Sequence, residues 1–357
     1  MDLVALRAQI DAVDDEILRL LNDRARLVAQ VAALKERLQV PFYVPSRERQ
    51  IVERLVAKSP GPFPTEALRP VFQEIFSACL SLERTVRVAY LGPEATFTHM
   101  AVKRQFGLSA RAIPVGTIAG VFEEVERGGA DFGVVPVENS TEGVVNHTLD
   151  TFVDSDLKIS AEIVLEVAHC LLVRPGLEVP AVERVYSHPQ ALAQCRRWLA
   201  GNLPRATLVE AASTAEAARL AREDARGAAI ASELAGRLYE LQPARLNLSD
   251  VAQNVTRFLV VGRQQAEPTG RDKTSLLLAL RDEPGILHRM LALFADADVN
   301  LTKIESRPAR KRPWEYVFFI DVDGHQRDER VAGALRAAAA ACDALKVLGS
   351  YPKAEKI

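Results

Sequence analysis

The sequence lacks the features that anchor most cofactor chemistry. Its four cysteines, Cys79, Cys170, Cys195 and Cys342, are scattered and form no CxxC pair. Reduced thiols in a cytosolic protein are therefore expected, not a disulfide framework. The six histidines show no HExxH or other ligand spacing, so no metal is expected. GxGxxG and Walker sequences are absent, which leaves nicotinamide and nucleotide chemistry without support, and no cofactor is expected. Charge of one sign is lacking as well: the formal net charge of −2 argues against a nucleic-acid or membrane partner. No apolar run approaches the length of a membrane span. The opening MDLVALRAQIDAVDDEI is acidic and amphipathic, without a basic stretch leading into an apolar one, so it does not read as a signal peptide and a cytoplasmic location is expected.

What is present is a globular composition, 48% apolar and 26% charged, in a chain of 357 residues with room for two or three domains. Three textures follow one another. Residues 1–85 are helical in pattern. Leu3, Leu6, Ile10, Val13, Ile17, Leu20, Leu27, Val31 and Leu34 keep a heptad seam. A second helix is predicted after Pro45, PGPFP at 60–64 breaks it, and a third carries Leu68 through Leu80 on one stripe. Residues 86–263 alternate short β runs (VRVAYLG, FGVVPVE, RVYSH, ATLVEAA, AAIAS, TRFLVVG) with amphipathic helices, predicting α/β architecture with a largely parallel sheet. After a polar linker, 264–272, residues 273–357 read β (273–281), α (285–297), β (301–307), β (315–322), α (327–341), β (345–351). That is the ferredoxin-like βαββαβ order.

One position breaks the heptad: Arg24 stands where the seam asks for an apolar residue. Alone, it reads equally well as a snorkelling arginine. Arg7 and Lys35 share another heptad position but lie four heptads apart, roughly 42 Å at 1.5 Å per residue. They cannot hold one small ligand from the same chain. If two copies of the helix pair antiparallel about a two-fold near residue 21, Arg7 of one falls beside Lys35 of the other, and cations converge at two symmetric sites. Buried cations need anionic partners, so the ligand implied is a small polyanion.

The run LRAQIDAVDDEILRLLNDRARLVAQVAALK followed by SRERQ resembles the all-helical chorismate mutase domain, an intertwined dimer of three-helix chains. The resemblance implies that Arg7, Arg24 and Arg47 bind the carboxylates of chorismate, Lys35 the ether oxygen and Glu48 the ring hydroxyl. Glu83 stands where the family places a second donor to the ether oxygen. The reaction is pericyclic and needs no base or nucleophile, only conformer selection and stabilisation of charge on the breaking C–O bond. Glu83 can serve only while protonated, so mutase activity is expected to decline as pH rises, less steeply in Glu83→Gln. Val44 departs from a position that is acidic in some members. The competing reading of this segment is a degenerate dimerisation arm.

In the α/β segment, four strands end in polar clusters that open helices: GPEATFT (92–98), ENSTEG (138–143), SHPQ (187–190) and the pair Ser213-Thr214. Helix N-termini suit carboxylate ligands, and ligands bind off the carboxyl ends of such strands. Each cluster alone is an ordinary N-cap. With AHCLL and NVTRF they resemble prephenate dehydratase, whose fold is two α/β lobes, periplasmic-binding-protein-like, with the active site between them. Thr256 of TRF is then the catalytic residue, with Thr96, Asn139, Ser140, Thr141, Ser187, His188, Gln190, Arg257 and Phe258 expected around prephenate. Ala95 stands where that family usually has glycine. In the last segment, Gly285-Ile286-Leu287 and Glu305-Ser306-Arg307-Pro308 resemble the phenylalanine-binding loop and ESRP element of ACT regulatory domains, with Ile286 replacing the usual alanine. The combined expectation is an enzyme that takes chorismate through prephenate to phenylpyruvate, feedback-inhibited by phenylalanine, at least homodimeric. A dehydratase acting on arogenate or prephenate with a silent helical arm, and a dianion-binding module without chemistry, are the alternatives.

Overall fold

The computed structural model describes the chain apart from residues 1, 39, 41, 251, 252, 282, 309–315 and 355–357. The described chain forms two compact units: residues up to Arg87 together with Lys103–Arg111, and Val88–Val102 together with Ala112 onward.

The first unit is three helices, Leu3–Leu38, Pro45–Lys58 and Thr65–Glu83. Asp2 caps the first by accepting from the Ala5 N–H at 2.8 Å, and Pro45 opens the second where a missing N–H costs nothing. The 36-residue first helix has no buried residue, and its seam is open: Leu3, Ile10, Ile17, Val31 and Leu34 are each about half exposed or more. Lys103–Arg111, part of the α/β segment in the sequence, groups with this unit in space. Phe106 meets Tyr43 with ring centroids 5.3 Å apart, and Gln73 donates to the Gln105 carbonyl at 2.8 Å.

The second unit carries three sheets. In the first, Arg87–Leu91 runs parallel to Phe132–Asn139, but Val255–Gly262 lies antiparallel between Phe132–Asn139 and Lys158–Glu166. In the second, Arg184–Ser187 is parallel to Thr207–Glu210 and Gly227–Ala231, whereas Cys170–Val173 is antiparallel to Gly227–Ala231. The expected largely parallel sheet is therefore two mixed sheets. The NVTRF strand follows both lobes in sequence and returns into the first, a long-range pairing that local hydrophobic period cannot announce.

The third sheet has the order Leu301–Pro308, Tyr316–Asp323, Asp272–Ala279, Ala344–Pro352, with helices Ile286–Asp296 and Glu329–Ala341 on one face, as the βαββαβ reading expects. Residue 315, the predicted start of one strand, lies outside the described residues. The opposite face joins the first lobe's core, where Leu277, Phe319 and Tyr351 pack with Ile159, Leu259 and Val261. Among the described residues no helix is long and apolar enough to cross a membrane.

Candidate active sites

In the helical unit, Arg24 and Lys35 from the first helix, Arg47 and Glu48 from the second and Glu83 from the end of the third line one cavity of 510 Å³. Its remaining wall is largely apolar, including Val28, Ile51 and Phe76. Arg7 is not there; it lies exposed near the start of the first helix. Val44 contributes to the wall as the residue preceding the second helix, with its side chain making no capping bond.

The Arg24 guanidinium sits over the Phe76 ring, 5.1 Å from its centroid, and its buried Nη1 has no hydrogen-bond partner among the described residues. A buried donor left unmatched costs on the order of 1–3 kcal/mol, more when charged, and an anion in the cavity would satisfy it. Lys35 donates to the Phe42 carbonyl at 2.7 Å, which holds its ammonium at the cavity wall. Burial pushes the Glu48 carboxyl up to about 8 despite the opposing pull of Gln73, Arg24 and Lys35. Near neutral pH it is therefore mainly protonated and can donate. The resemblance implies a binding role for Glu48, but its titration depends on how three helices close over it, which spacing does not show.

That titration has a stability consequence. The folded-state value lies above the ordinary carboxyl value of 4.5, so the folded chain holds this proton more tightly than the unfolded chain. The contribution is fully present below the unfolded value and is lost as pH rises toward about 8. Circular-dichroism melts should show the helical transition falling in Tm across that window, with most of the slope removed in Glu48→Gln. Equal slopes in both proteins would discount the assignment.

In the second unit, a 640 Å³ cleft gathers residues from all four polar clusters: Thr96 and Thr98, Asn139 and Glu142, His188 and Gln190, and Ser213 and Thr214. Thr256 and Phe258 line it from the antiparallel strand. Thr256 lies directly opposite Asn139 in the ladder, and Asn139 Nδ2 donates to Thr256 Oγ1 at 2.8 Å and to Asn254 Oδ1 at 2.7 Å. The amide cannot be turned the other way, because Asn139 Oδ1 accepts from the Thr141 N–H (2.9 Å), the Thr141 hydroxyl (2.6 Å) and the Glu142 N–H (3.1 Å). Asn139 thus occupies one of the two lone pairs of Thr256 Oγ1, and since the amide can only donate there, the Thr256 proton is free to serve a group in the cleft.

The sequence missed a second layer. Asn254 donates to Gln194 Oε1 at 2.8 Å, and the same oxygen lies 2.9 Å from His169 Nε2. Gln194 in turn donates to Thr141 Oγ1 and Glu142 Oε1. Since Gln194 Oε1 can only accept, His169 carries its proton on Nε2; its Nδ1 is buried without a partner among the described residues. Burial pushes this imidazole down from its ordinary range, so it stays neutral. The signals were there in AHCLL, in NVTRF and at the end of SHPQALAQ.

Several residues expected around the substrate lie elsewhere or have other partners in the structure. Ser187 is fully buried and donates to the Ile230 carbonyl at 2.6 Å, outside the cleft lining. Ser140 donates to the Gln253 carbonyl and accepts from the Val255 N–H, tying a loop to the strand. Thr141 is a rim residue that fixes Asn139. Arg257 points to the other face of its strand, where it meets Glu162, Asp321 and Tyr351; strand alternation puts neighbours of Thr256 there. Ala95 adopts φ 63, the left-handed region in which glycine is easiest, and its N–H donates to His99 Nδ1 at 3.0 Å.

In the C-terminal domain Gly285 has φ 76 and caps the helix that begins at Ile286, with Ile286 and Leu287 half-buried against the domain core. Ser306 and Pro308 are exposed on the edge strand, while Glu305 is half-buried. Arg307, expected at the effector, pairs with Asp150 at 3.1 Å.

Comparison with known proteins matches these three regions. The family model of chorismate mutase type II covers residues 6–84, that of prephenate dehydratase 88–266 and that of the ACT domain 274–340. The bifunctional chorismate mutase/prephenate dehydratase of Aquifex aeolicus is 51% identical over 99% of this chain and 98% of its own length. The protein of that name from Pseudomonas aeruginosa is 43% identical over the same shares. Among solved structures, a prephenate dehydratase of Arthrobacter aurescens in complex with L-Phe superposes with a TM-score of 0.70 at 38% identity, over 75% of this chain and 90% of that one.

Proposed function

This chain belongs to the bifunctional chorismate mutase/prephenate dehydratase family, an isomerase joined to a lyase, and on that premise we propose how its residues divide the two reactions. The observation that carries the first is the unmatched Arg24 guanidinium beside Lys35 in an apolar-walled cavity. Arg24 and Arg47 bind the carboxylates of chorismate, Lys35 stabilises the oxygen of the breaking ether bond, and Glu48, held protonated by burial, donates to the ring hydroxyl, with Glu83 beside them at the end of the third helix. No group is required to take or give a proton covalently. Arg7 reaches the site from a second copy of the chain, whose seam of exposed Leu and Ile residues covers this one.

The second reaction is carried by the Thr256 hydroxyl, whose proton is free because Asn139 meets it as a donor. Prephenate loses CO2 and its ring hydroxyl as the ring becomes aromatic. Thr256 donates to the departing hydroxyl as negative charge grows on it. The C–CO2 bond electrons enter the ring, and the proton that completes water comes from solvent or a neighbouring group, because an alcohol is a weak acid. The N-termini of helices Phe97–Phe106 and Thr214–Glu223 face the cleft and favour the substrate carboxylates. Four free cysteines fit a reducing cytosol.

Phenylalanine, the amino acid that corresponds to the phenylpyruvate product, is the effector proposed for the Gly285 loop and the Glu305–Pro308 strand. The support is the ACT-domain match and the likeness to a phenylalanine-bound dehydratase. A coupled assay, chorismate in and phenylpyruvate absorbance out, tests the sequence of reactions. Added phenylalanine should depress the second step several-fold and leave the first unchanged; a flat dose response would remove the sensor role.

A further inference from the structure

We infer that an ion-pair chain on the face of the sheet opposite the cleft, Lys303–Glu138–Arg257–Asp321, positions Asn139 and Thr256 and transmits the state of the C-terminal domain to them. The inference rests on the dehydratase reading of the cleft.

The geometry is one of adjacent cross-strand pairs. Thr256 faces Asn139 in the ladder and Arg257 faces Glu138. The first pair forms the hydrogen-bonded edge of the cleft. The second, one residue along, points the other way because side chains alternate across a strand. Its members are held by the regulatory sheet. Arg257 Nη1 lies 2.7 Å from Asp321 Oδ2, and its Nη2 donates to Tyr351 Oη at 2.9 Å. Glu138 Oε2 lies 2.7 Å from Lys303 Nζ and 3.9 Å from Arg257 Nη1. On the far side Glu162 Oε2 joins Arg257 Nε and Lys273 Nζ, each at 2.8 Å.

The signs alternate along the whole chain: Lys303, Glu138, Arg257, then Asp321 or Glu162, then Lys273. Most of these side chains are largely buried, between 4% and 13% exposed, with Glu138 at 39%. Buried charges tolerate displacement badly, since each needs its partner within contact distance. A shift of the regulatory sheet therefore moves Arg257 and Glu138 rather than leaving them behind.

The link to the effector segment is short. Lys303 lies two residues before Glu305 on the same edge strand, and alternation puts both on the side that faces the dehydratase domain. An effector seated on this strand changes the position of Lys303, hence of Glu138, hence of the Asn139 amide that donates to Thr256 Oγ1. Because the catalytic proton depends on that amide, a small displacement acts on turnover more than on substrate affinity.

Lys303→Met removes the outermost charge without touching the cleft, and Lys303→Arg keeps it. The full-length variants would be assayed for dehydratase kcat and KM, for mutase turnover, for phenylalanine inhibition and, by equilibrium dialysis, for phenylalanine binding. Lys303→Met should lower dehydratase kcat about tenfold with KM within about twofold. It should raise the inhibitory phenylalanine concentration about tenfold while bound phenylalanine changes less than about threefold. Mutase turnover should be unchanged, and Lys303→Arg should restore both dehydratase properties. Wild-type kcat together with an unaltered phenylalanine response in Lys303→Met would overturn the inference. A wild-type protein without dehydratase turnover would overturn the underlying reading instead, and one that binds no phenylalanine would remove the effector link while the kcat comparison still decides the positioning role.

Discussion

Thr256→Ala should lower dehydratase kcat by about 10²–10³-fold, the range found when one preorganised donor to a developing oxyanion is removed, while chorismate mutase turnover stays at the wild-type level. The size follows from how the hydroxyl is prepared. Asn139 holds its oxygen at 2.8 Å, and Asn139 is itself locked by three donors from Thr141 and Glu142. The Thr256 proton is therefore turned away from Asn139 and free to donate into the cleft, so little reorganisation is needed as charge builds on the leaving oxygen. Thr256→Ser keeps the hydroxyl but frees it to rotate, so it should fall between wild type and alanine.

Asn139→Asp gives a sharper contrast. A carboxylate in that position can only accept, and it would take the Thr256 proton for itself, reversing the bond on which catalysis depends. Its loss should approach that of Thr256→Ala although the threonine is intact. Steady-state kinetics on prephenate, with chorismate consumption as the folding control, measure both. Full dehydratase turnover in Thr256→Ala would sink the assignment.

Much of this was legible from residue pattern, and what was not has a physical reason. The helix periods, the break at PGPFP and the βαββαβ order are local, and the structure places them within about two residues. The gathering of the four polar clusters at one cleft was legible too, but only three of them open helices: ENSTEG turns instead into the short strand Gly143–Val144, antiparallel to Phe132–Asn139. The antiparallel course of Val255–Gly262 was not, since its partners Phe132–Asn139 and Lys158–Glu166 lie far upstream and a strand's own period is blind to direction. Arg257 has its partners on the other face for a related reason. A motif shows adjacency in the chain, whereas a strand sends adjacent side chains to opposite faces, so the residue after Thr256 meets the C-terminal sheet at Asp321 and Tyr351. Glu48, His169 and Gln194 depend on burial and on partners from separate elements, which no single segment reports.

The helical unit offers the other large effect. Arg7→Ala and Lys35→Ala should each reduce mutase turnover to about 1% of wild type or less, since each removes a cation facing an anion in a poorly solvated cavity. Yet Lys35 lines the cavity while Arg7 lies exposed near the start of the same helix, too far along it to reach the same ligand. If the second chain supplies Arg7, coexpressing the two inactive variants must create one native site in every mixed dimer. That site takes Arg7 from the Lys35→Ala chain and Lys35 from the Arg7→Ala chain, and its symmetry mate carries both substitutions. Random pairing makes about half the dimers mixed and restores one site of two in each, so roughly a quarter of wild-type turnover should return. Differently tagged chains purified in tandem, as mixed dimers only, should reach about half. A single-chain site predicts nothing beyond the sum of the two residual activities, so turnover at that level in the purified mixed dimer would refute the shared site. The same purification tests the seam: Ile10→Asp or Ile17→Asp, placing a charge in the exposed apolar stripe of Leu3–Leu38, should abolish the mixed species and mutase turnover together.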